Sequence, residues 1–277
     1  MAYGDTFELG ASDATKLIQL RSDQVMWQKE RLLNVALLAL PPECKKVAWV
    51  DCDILFERDD WPQLADQALD QAAFVQCFSQ VHHLNRTADV SQPLSNQTYF
   101  SRESMGARYL AEGAGIAEWD SYSASLRAQG LAWDVSLGHA WAMRLQDLRR
   151  VGFYDALILG GGDGALTHAA LGRFQPMIDR LELNAHQTKH YLQWAEQFHR
   201  MVKESMSAIP GDIYHLWHGE LRNRNNGTRH SILPSHNFDP NRDIAISENG
   251  CWRWNSDKPD LHDAVRAYFQ SRNEDGR

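Results

Sequence analysis

The sequence predicts an α/β protein built on a parallel sheet, and three observations carry that prediction. Apolar residues recur at helical spacing over residues 24–40 and stop at Pro41-Pro42. A short β-type run, Val47-Ala48-Trp49-Val50, follows and closes on acids. A continuous apolar run of this length fits a strand buried on both faces. The order then repeats, with a helix over 62–72 and a strand over 73–78. Helix–strand alternation of this kind marks α/β architecture.

The remaining elements follow in order. Residues 1–22 are polar and show little periodicity. The first helix is set by Val25, Met26, Leu32, Leu33, Ala36, Leu37 and Leu40. Residues 80–133 are polar and broken by Asn85, Asn96, Gly106, Gly113 and Gly115, so they read as a long loop region with one or two helices. A strand is expected over 137–143 and a helix over 145–151. Gly160-Gly161-Gly162-Asp163 is a sharp break before a helix over 165–171. A long helix is expected over 182–207, a loop-rich stretch over 208–256, and an amphipathic helix over 261–272. There is no internal repeat and no low-complexity linker, so one unit over 1–277 is expected.

Composition bounds the function. Hydrophobic residues make up 43% and charged residues 23% of the 277, the balance of a globular protein rather than a disordered one. No apolar run approaches the roughly 20 residues that span a bilayer. The start, Met1-Ala2-Tyr3-Gly4-Asp5, has no basic or apolar signal region. The four cysteines show no CxxC spacing, which argues against a zinc site or a disulfide framework and for a reducing, cytoplasmic setting. Acids exceed bases 36 to 28, the wrong direction for holding a polyanion by net charge alone. Ten Trp are a surplus; most serve packing, and the rest offer flat rings for stacking.

Four constellations carry chemistry. Asp51-Cys52-Asp53 follows the 47–50 strand, and ligands of α/β sheets bind at carboxyl ends of strands. Two carboxylates there can hold a hard divalent cation, which shares its other positions with a diphosphate. The apolar Ile54-Leu55-Phe56 re-enters the core at once, unlike a solvated turn. Next, Gly160 to Gly162 let backbone approach a ligand closely, and Asp163 is either a helix N-cap or a general base on a tight loop. In His215-Leu216-Trp217-His218, either imidazole can complete a metal site with the acid pair. Finally, Arg222, Arg224, Arg229 and His230, interleaved with Asn223, Asn225 and Asn226, suit a diphosphate, an anionic acceptor or a solvated loop equally.

Taken together these residues resemble the nucleotide-sugar-dependent glycosyltransferases of the GT-A fold. The segment Trp27-Gln28-Lys29-Glu30-Arg31-Leu32-Leu33-Asn34 looks like the helix that bears a Lys and an Asn near the donor. Gly160-Gly161-Gly162-Asp163 is similar to the Gly-rich acidic loop whose carboxylate is the base in inverting members. His215-Leu216-Trp217-His218-Gly219 looks like the late metal-binding His segment. The likeness covers residues 24–60 and 136–240, and extends more loosely to phage-type enzymes that glycosylate 5-hydroxymethylcytosine in DNA.

The resemblance implies a Rossmann-like α/β fold, a mixed sheet flanked by helices. Only 23 residues precede the first expected helix, so the fold's opening strand is expected to be missing or reduced to residues 2–10. It implies a donor-binding lobe over about 1–80 and an acceptor-side lobe over about 81–277. It implies Mn²⁺ or Mg²⁺ on Asp53 with His215 or His218. A nucleotide diphosphate sugar, of the UDP type, would sit on Lys29, Asn34, Asp51, Asp53, Gly161 and Gly162. Asp163 would act as base, and Trp141, Trp217, Arg222 and Arg224 would face a glycan or hydroxymethylated DNA. Trp252 and Trp254 are further stacking candidates; with Trp133, Trp141 and Trp217 they put five of the ten Trp in the acceptor-side half. The loop departs from many members in having one carboxylate instead of two or more. Two other readings of the same residues are a metal-dependent phosphoester hydrolase and a carbohydrate-binding module without catalysis.

Overall fold

A computed structural model describes residues 1–113, 135–225 and 228–274, the side chains of residues 221 and 222 excepted. Trp133, Gly115 and Asn226 lie outside the described residues, as does the side chain of Arg222.

The architecture is α/β, with mixed sheets flanked by helices. The first sheet has four strands in the order β1 (Lys46–Val50), β7 (Ala140–Arg144), β3 (Phe74–Gln76) and β8 (Met206–Ala208). β7 runs antiparallel to both neighbours, and β3 and β8 are parallel. The second has five, in the order β2 (Ile54–Phe56), β9 (Asp212–His215), β4 (Gln80–Leu84), β5 (Thr98–Ser104) and β6 (Val135–Ser136). β9 is parallel to β4 and antiparallel to β2, while β5 is antiparallel to β4 and parallel to β6. A separate antiparallel pair, β10 (Ile244–Ile246) and β11 (Trp252–Trp254), lies late in the chain.

Alternation along the strands covers both faces of the first sheet. Phe74, Trp141 and Met143 enter one core; Val75, Ala140 and Ala142 enter a second, with Phe78, Val81 and Ile213. The larger core takes in α1 (Lys29–Ala39) and draws on α4 (Leu145–Val151), α5 (Gly162–Ala170), α6 (Phe174–Arg180) and α7 (Ala185–Val202). α2 (Trp61–Ala68) packs Ala65 on the smaller core. α3 (Met105–Glu112) follows β5 directly, and α8 (Pro259–Ser271) buries Leu261, Val265 and Tyr268. Among the described residues no helix is long and apolar enough to cross a membrane.

Several expectations change. The two main sheets are mixed, as the resemblance implies, and not parallel as helix–strand alternation predicts; in the first, β7 inserts between β1 and β3 and pairs antiparallel with both. The described part of 80–133 holds β4, β5 and α3, so it is not mainly loop. The first helix starts at Lys29, not 24: Met26 is already buried core and the Trp27 N–H donates to the Ile158 carbonyl at 2.9 Å. The 182–207 helix splits: α7 begins at a capping box of Asn184 and Gln187, and Lys203 and Glu204, both at positive φ, end it before β8. Residues 1–28 contain no strand, only an isolated bridge between Ala2 and Arg21. Strands from both sides of residue 80 share each sheet, β1 and β3 pairing with β7, and β2 with β9.

Candidate functional site

β1 ends at Val50, and the chain turns through Asp51-Cys52-Asp53 straight into β2. The Asp51 N–H donates to the His139 carbonyl at 2.8 Å, and the Leu216 N–H to the Asp53 carbonyl at 2.7 Å. β2 pairs with β9 so that Ile54 faces His215. This register carries the late His segment onto the acid pair. Asp53 Oδ2 lies 3.4 Å from His215 Nε2 and 3.1 Å from His218 Nε2. The three residues offer one ligand atom each, all within 4.8 Å of one another. Asp53 Oδ1 is buried and has no hydrogen-bond partner. Burial works to raise the Asp53 pKa, but hydrogen bonds from His215 and His218 outweigh it and hold the carboxyl well below the usual range.

Arg224 is the fourth member of this end. Its Nη2 stands 2.6 Å from His218 Nε2. That nitrogen thus faces both a guanidinium donor and the Asp53 carboxylate. A neutral imidazole nitrogen either accepts or donates, so only one of the two bonds can be made at a time.

The other end is built on α1 and α5. Lys29 Nζ contacts Asp51 Oδ1 at 2.7 Å and Asp163 Oδ1 and Oδ2 at 3.1 and 3.3 Å. Desolvation would lower the Lys29 pKa; the charges of Asp163, Asp51 and Glu30 outweigh it and raise it. Asp51 is raised, by burial first and by Asp163 and Asp53 next, with Lys29 opposing. Asp163 is in the first turn of α5 and Gly161, at φ 105°, takes the N-cap place, which corrects the reading of Asp163 as the cap. Gly138 lies beneath Asp163: a Cβ there would stand 2.9 Å from Asp163 Oδ2. Glu30, 7% exposed, is pushed up to about 7 by burial and the Asp163 charge, against the pull of Lys29.

His139 joins the two ends. It follows Gly138, adopts φ 75°, and its Nδ1 lies 3.9 Å from Asp51 Oδ2 without a hydrogen bond. Its ring centroid is 5.0 Å from that of His215 and 5.8 Å from that of His83. His83, paired with His215 in register, stacks on Phe100 at 4.1 Å and leaves its own Nδ1 unpartnered. Burial, then the neighbouring His215, lowers both, His83 to about 3 and His139 well below the ordinary imidazole value. Sequence reasoning missed both residues. The available signal was His139 directly after a glycine at a strand start.

Of the expected site residues, Lys29, Asp51, Asp53, Asp163, His215, His218 and Arg224 converge. Trp217 lies beside His218, with the Arg86 guanidinium 4.9 Å over its ring. Four residues do not join them. Asn34 is a backbone clamp: it accepts from the Phe153 N–H and donates to the Phe153 carbonyl and to Asp155 Oδ2. Trp141 is a core residue, 0% exposed, stacked on Phe74 at 3.8 Å with its N–H on the Leu137 carbonyl, so it cannot stack on a ligand. Trp252 donates to the Asp155 carbonyl, and Trp254 stacks on His262. Gly161 and Gly162 shape the turn into α5.

Comparison of the chain with protein-family models, curated proteins and solved structures finds no match. What the arrangement can do therefore rests on its chemistry. One end gathers two imidazoles and a carboxylate that could hold a cation. The other presents a carboxylate, 36% exposed, paired to a lysine.

Proposed function

We propose that the chain is a metal-dependent, inverting glycosyltransferase of the GT-A type, moving a sugar from a nucleotide diphosphate sugar to an acceptor hydroxyl. The observation that carries this reading is the convergence of Asp53, His215 and His218 at one end of a site whose other end holds Asp163. The residues fit a divalent cation: the donor set is one oxygen and two nitrogens, and Asp53 Oδ1 is a buried oxygen with no partner. Imidazole nitrogens favour Mn²⁺ over the harder Mg²⁺.

Asp53, His215 and His218 would hold the cation. When bound, it supplies Lewis-acid stabilisation of negative charge on the leaving diphosphate. Lys29 places a positive charge between Asp51 and Asp163 and shields each carboxylate from the other. The Asp163 carboxylate takes the proton from the acceptor hydroxyl as that oxygen attacks the anomeric carbon. The new carbon–oxygen bond forms as the bond to the diphosphate oxygen breaks, and the electron pair leaves on the diphosphate. One displacement inverts the configuration, and no carboxylate nucleophile is needed. Arg224, and Trp217 with Arg86 across its ring, border the cation end, where a hydroxylated ring or an anionic acceptor would enter.

The test is a thermal-shift screen of nucleotide sugars with Mn²⁺, since a bound donor raises apparent stability by mass action. The donor that shifts melting is then assayed with glycans and with hydroxymethylated DNA. Transfer that EDTA abolishes supports the reading. Release of phosphate from simple esters without any acceptor would assign a hydrolase instead. Glycan binding without metal or nucleotide would assign a binding module.

A further inference from the structure

Glu30 is a buried carboxylate that the proposed chemistry leaves unused. It is 7% exposed, and its Oε2 accepts the indole N–H of Trp27 at 2.9 Å. Its other oxygen reaches under the loop that carries Asp163. A Cβ built on Gly162 would lie 2.1 Å from Glu30 Oε1 and 2.4 Å from its carboxyl carbon. The two groups cannot share that space. Gly162 has no left-handed φ, so its backbone would accept an ordinary residue. The space that a side chain at residue 162 would take is held by the Glu30 carboxyl.

The location gives this carboxylate a role. Gly162 opens α5 and directly precedes Asp163. The N-cap, Gly161, provides no side-chain oxygen to the first-turn N–H groups. The neighbouring residue on α1, Lys29, binds the Asp163 carboxylate. One dipeptide, Lys29-Glu30, therefore touches both the Asp163 side chain and the backbone that bears it.

We propose that Glu30 is a positioning residue for Asp163. From α1 its carboxyl group fills the space beside the residue before the base, and it fixes Gly162 so that Asp163 keeps its distance from Lys29. The inference rests on the reading of Asp163 as the base. It predicts that the space beside Gly162 can be filled from either side, by the α1 side chain or by a methyl group on residue 162.

The reciprocal exchange tests this in the full chain, with Glu30→Ala, Gly162→Ala and the double variant Glu30→Ala/Gly162→Ala. Hydrogen exchange of the peptide covering residues 157–166 is read in each. Glu30→Ala should exchange faster there, Gly162→Ala should be the most disturbed because its methyl and the Glu30 carboxyl compete for one space, and the double variant should return toward wild type. In sugar transfer, Glu30→Ala should lower kcat at least tenfold with donor KM within twofold, and the double variant should recover most of that loss. The proposal is overturned if Glu30→Ala leaves exchange and kcat unchanged, or if the folded double variant is as impaired as Glu30→Ala. Absence of transfer by the wild type against every nucleotide sugar would sink the glycosyltransferase reading. The exchange pattern would still decide whether Glu30 positions this loop.

Discussion

At one end of the site a single carboxylate faces two imidazoles; at the other a single lysine faces two carboxylates. The first end, Asp53 with His215 and His218, keeps a buried oxygen without a partner. The second is closed on itself: Lys29 bonds Asp51 and Asp163, and Glu30 sits behind them. The comparison separates what each end awaits. A buried carboxylate oxygen without a donor, beside two imidazoles within 4.8 Å, suits a cation. Carboxylates already paired to an ammonium do not, and the more exposed of them, Asp163, is the one we propose as the base.

The comparison breaks first at its two carboxylates. Asp163→Ala should lower turnover by about 10²–10⁴, the usual worth of a general base, while Mn²⁺ affinity stays within a factor of about two; equal loss of Mn²⁺ binding would erase the distinction between the ends. Asp53→Ala should weaken Mn²⁺ by about 100-fold or more, beyond what outer-shell groups contribute. Calorimetry reads this directly, and unchanged affinity would remove Asp53 from the ligand set.

A smaller effect is expected in stability. The Glu30 pKa is raised from 4.5 to about 7 in the folded protein. A carboxyl raised in this way contributes stability fully present below its unfolded pKa and lost as pH climbs through the folded one. Between pH 4.5 and just above 7 the wild type should lose about 3 kcal/mol that Glu30→Gln keeps. Urea melts of both proteins across that range check it, and parallel curves would contradict it. The smallest effect belongs to Arg224. Because its guanidinium competes at His218 Nε2, Arg224→Ala should tighten Mn²⁺ alone by a few-fold and weaken UDP in the presence of Mn²⁺. Movement of both affinities in one direction would argue against that competition.

Much of the cation end was legible in the sequence because its signals are local. Acids after a short apolar run predict a strand end, and the spacing of His215 and His218 needs no neighbour to be noticed. What brings them together is the β2–β9 pairing, which joins residues far apart in sequence. The α4 helix was read at its observed limits, 145–151, since apolar spacing and a following glycine both mark it. The β4–β5 pair was not, because polar residues such as His82, His83 and Ser101 stand where a strand pattern is sought. The order β1-β7-β3 was hidden for a related reason: alternation of helix and strand says nothing of a later strand that inserts between earlier ones. Trp141 shows the limit of composition, since a surplus of indoles cannot tell a ligand platform from a core stacked on Phe74. Glu30 was passed over as one charge on a helix, and only the space it denies to residue 162 gives it meaning.

The central claim is that Asp53, His215 and His218 hold a divalent cation that a nucleoside diphosphate binds through. Calorimetric titration of UDP, followed by other nucleoside diphosphates, into the wild type with Mn²⁺, into the wild type with EDTA, and into Asp53→Ala with Mn²⁺ tests it most directly. The account predicts binding in the first and none in the other two. Equal binding with EDTA, or no binding of any nucleoside diphosphate at saturating Mn²⁺, would contradict it.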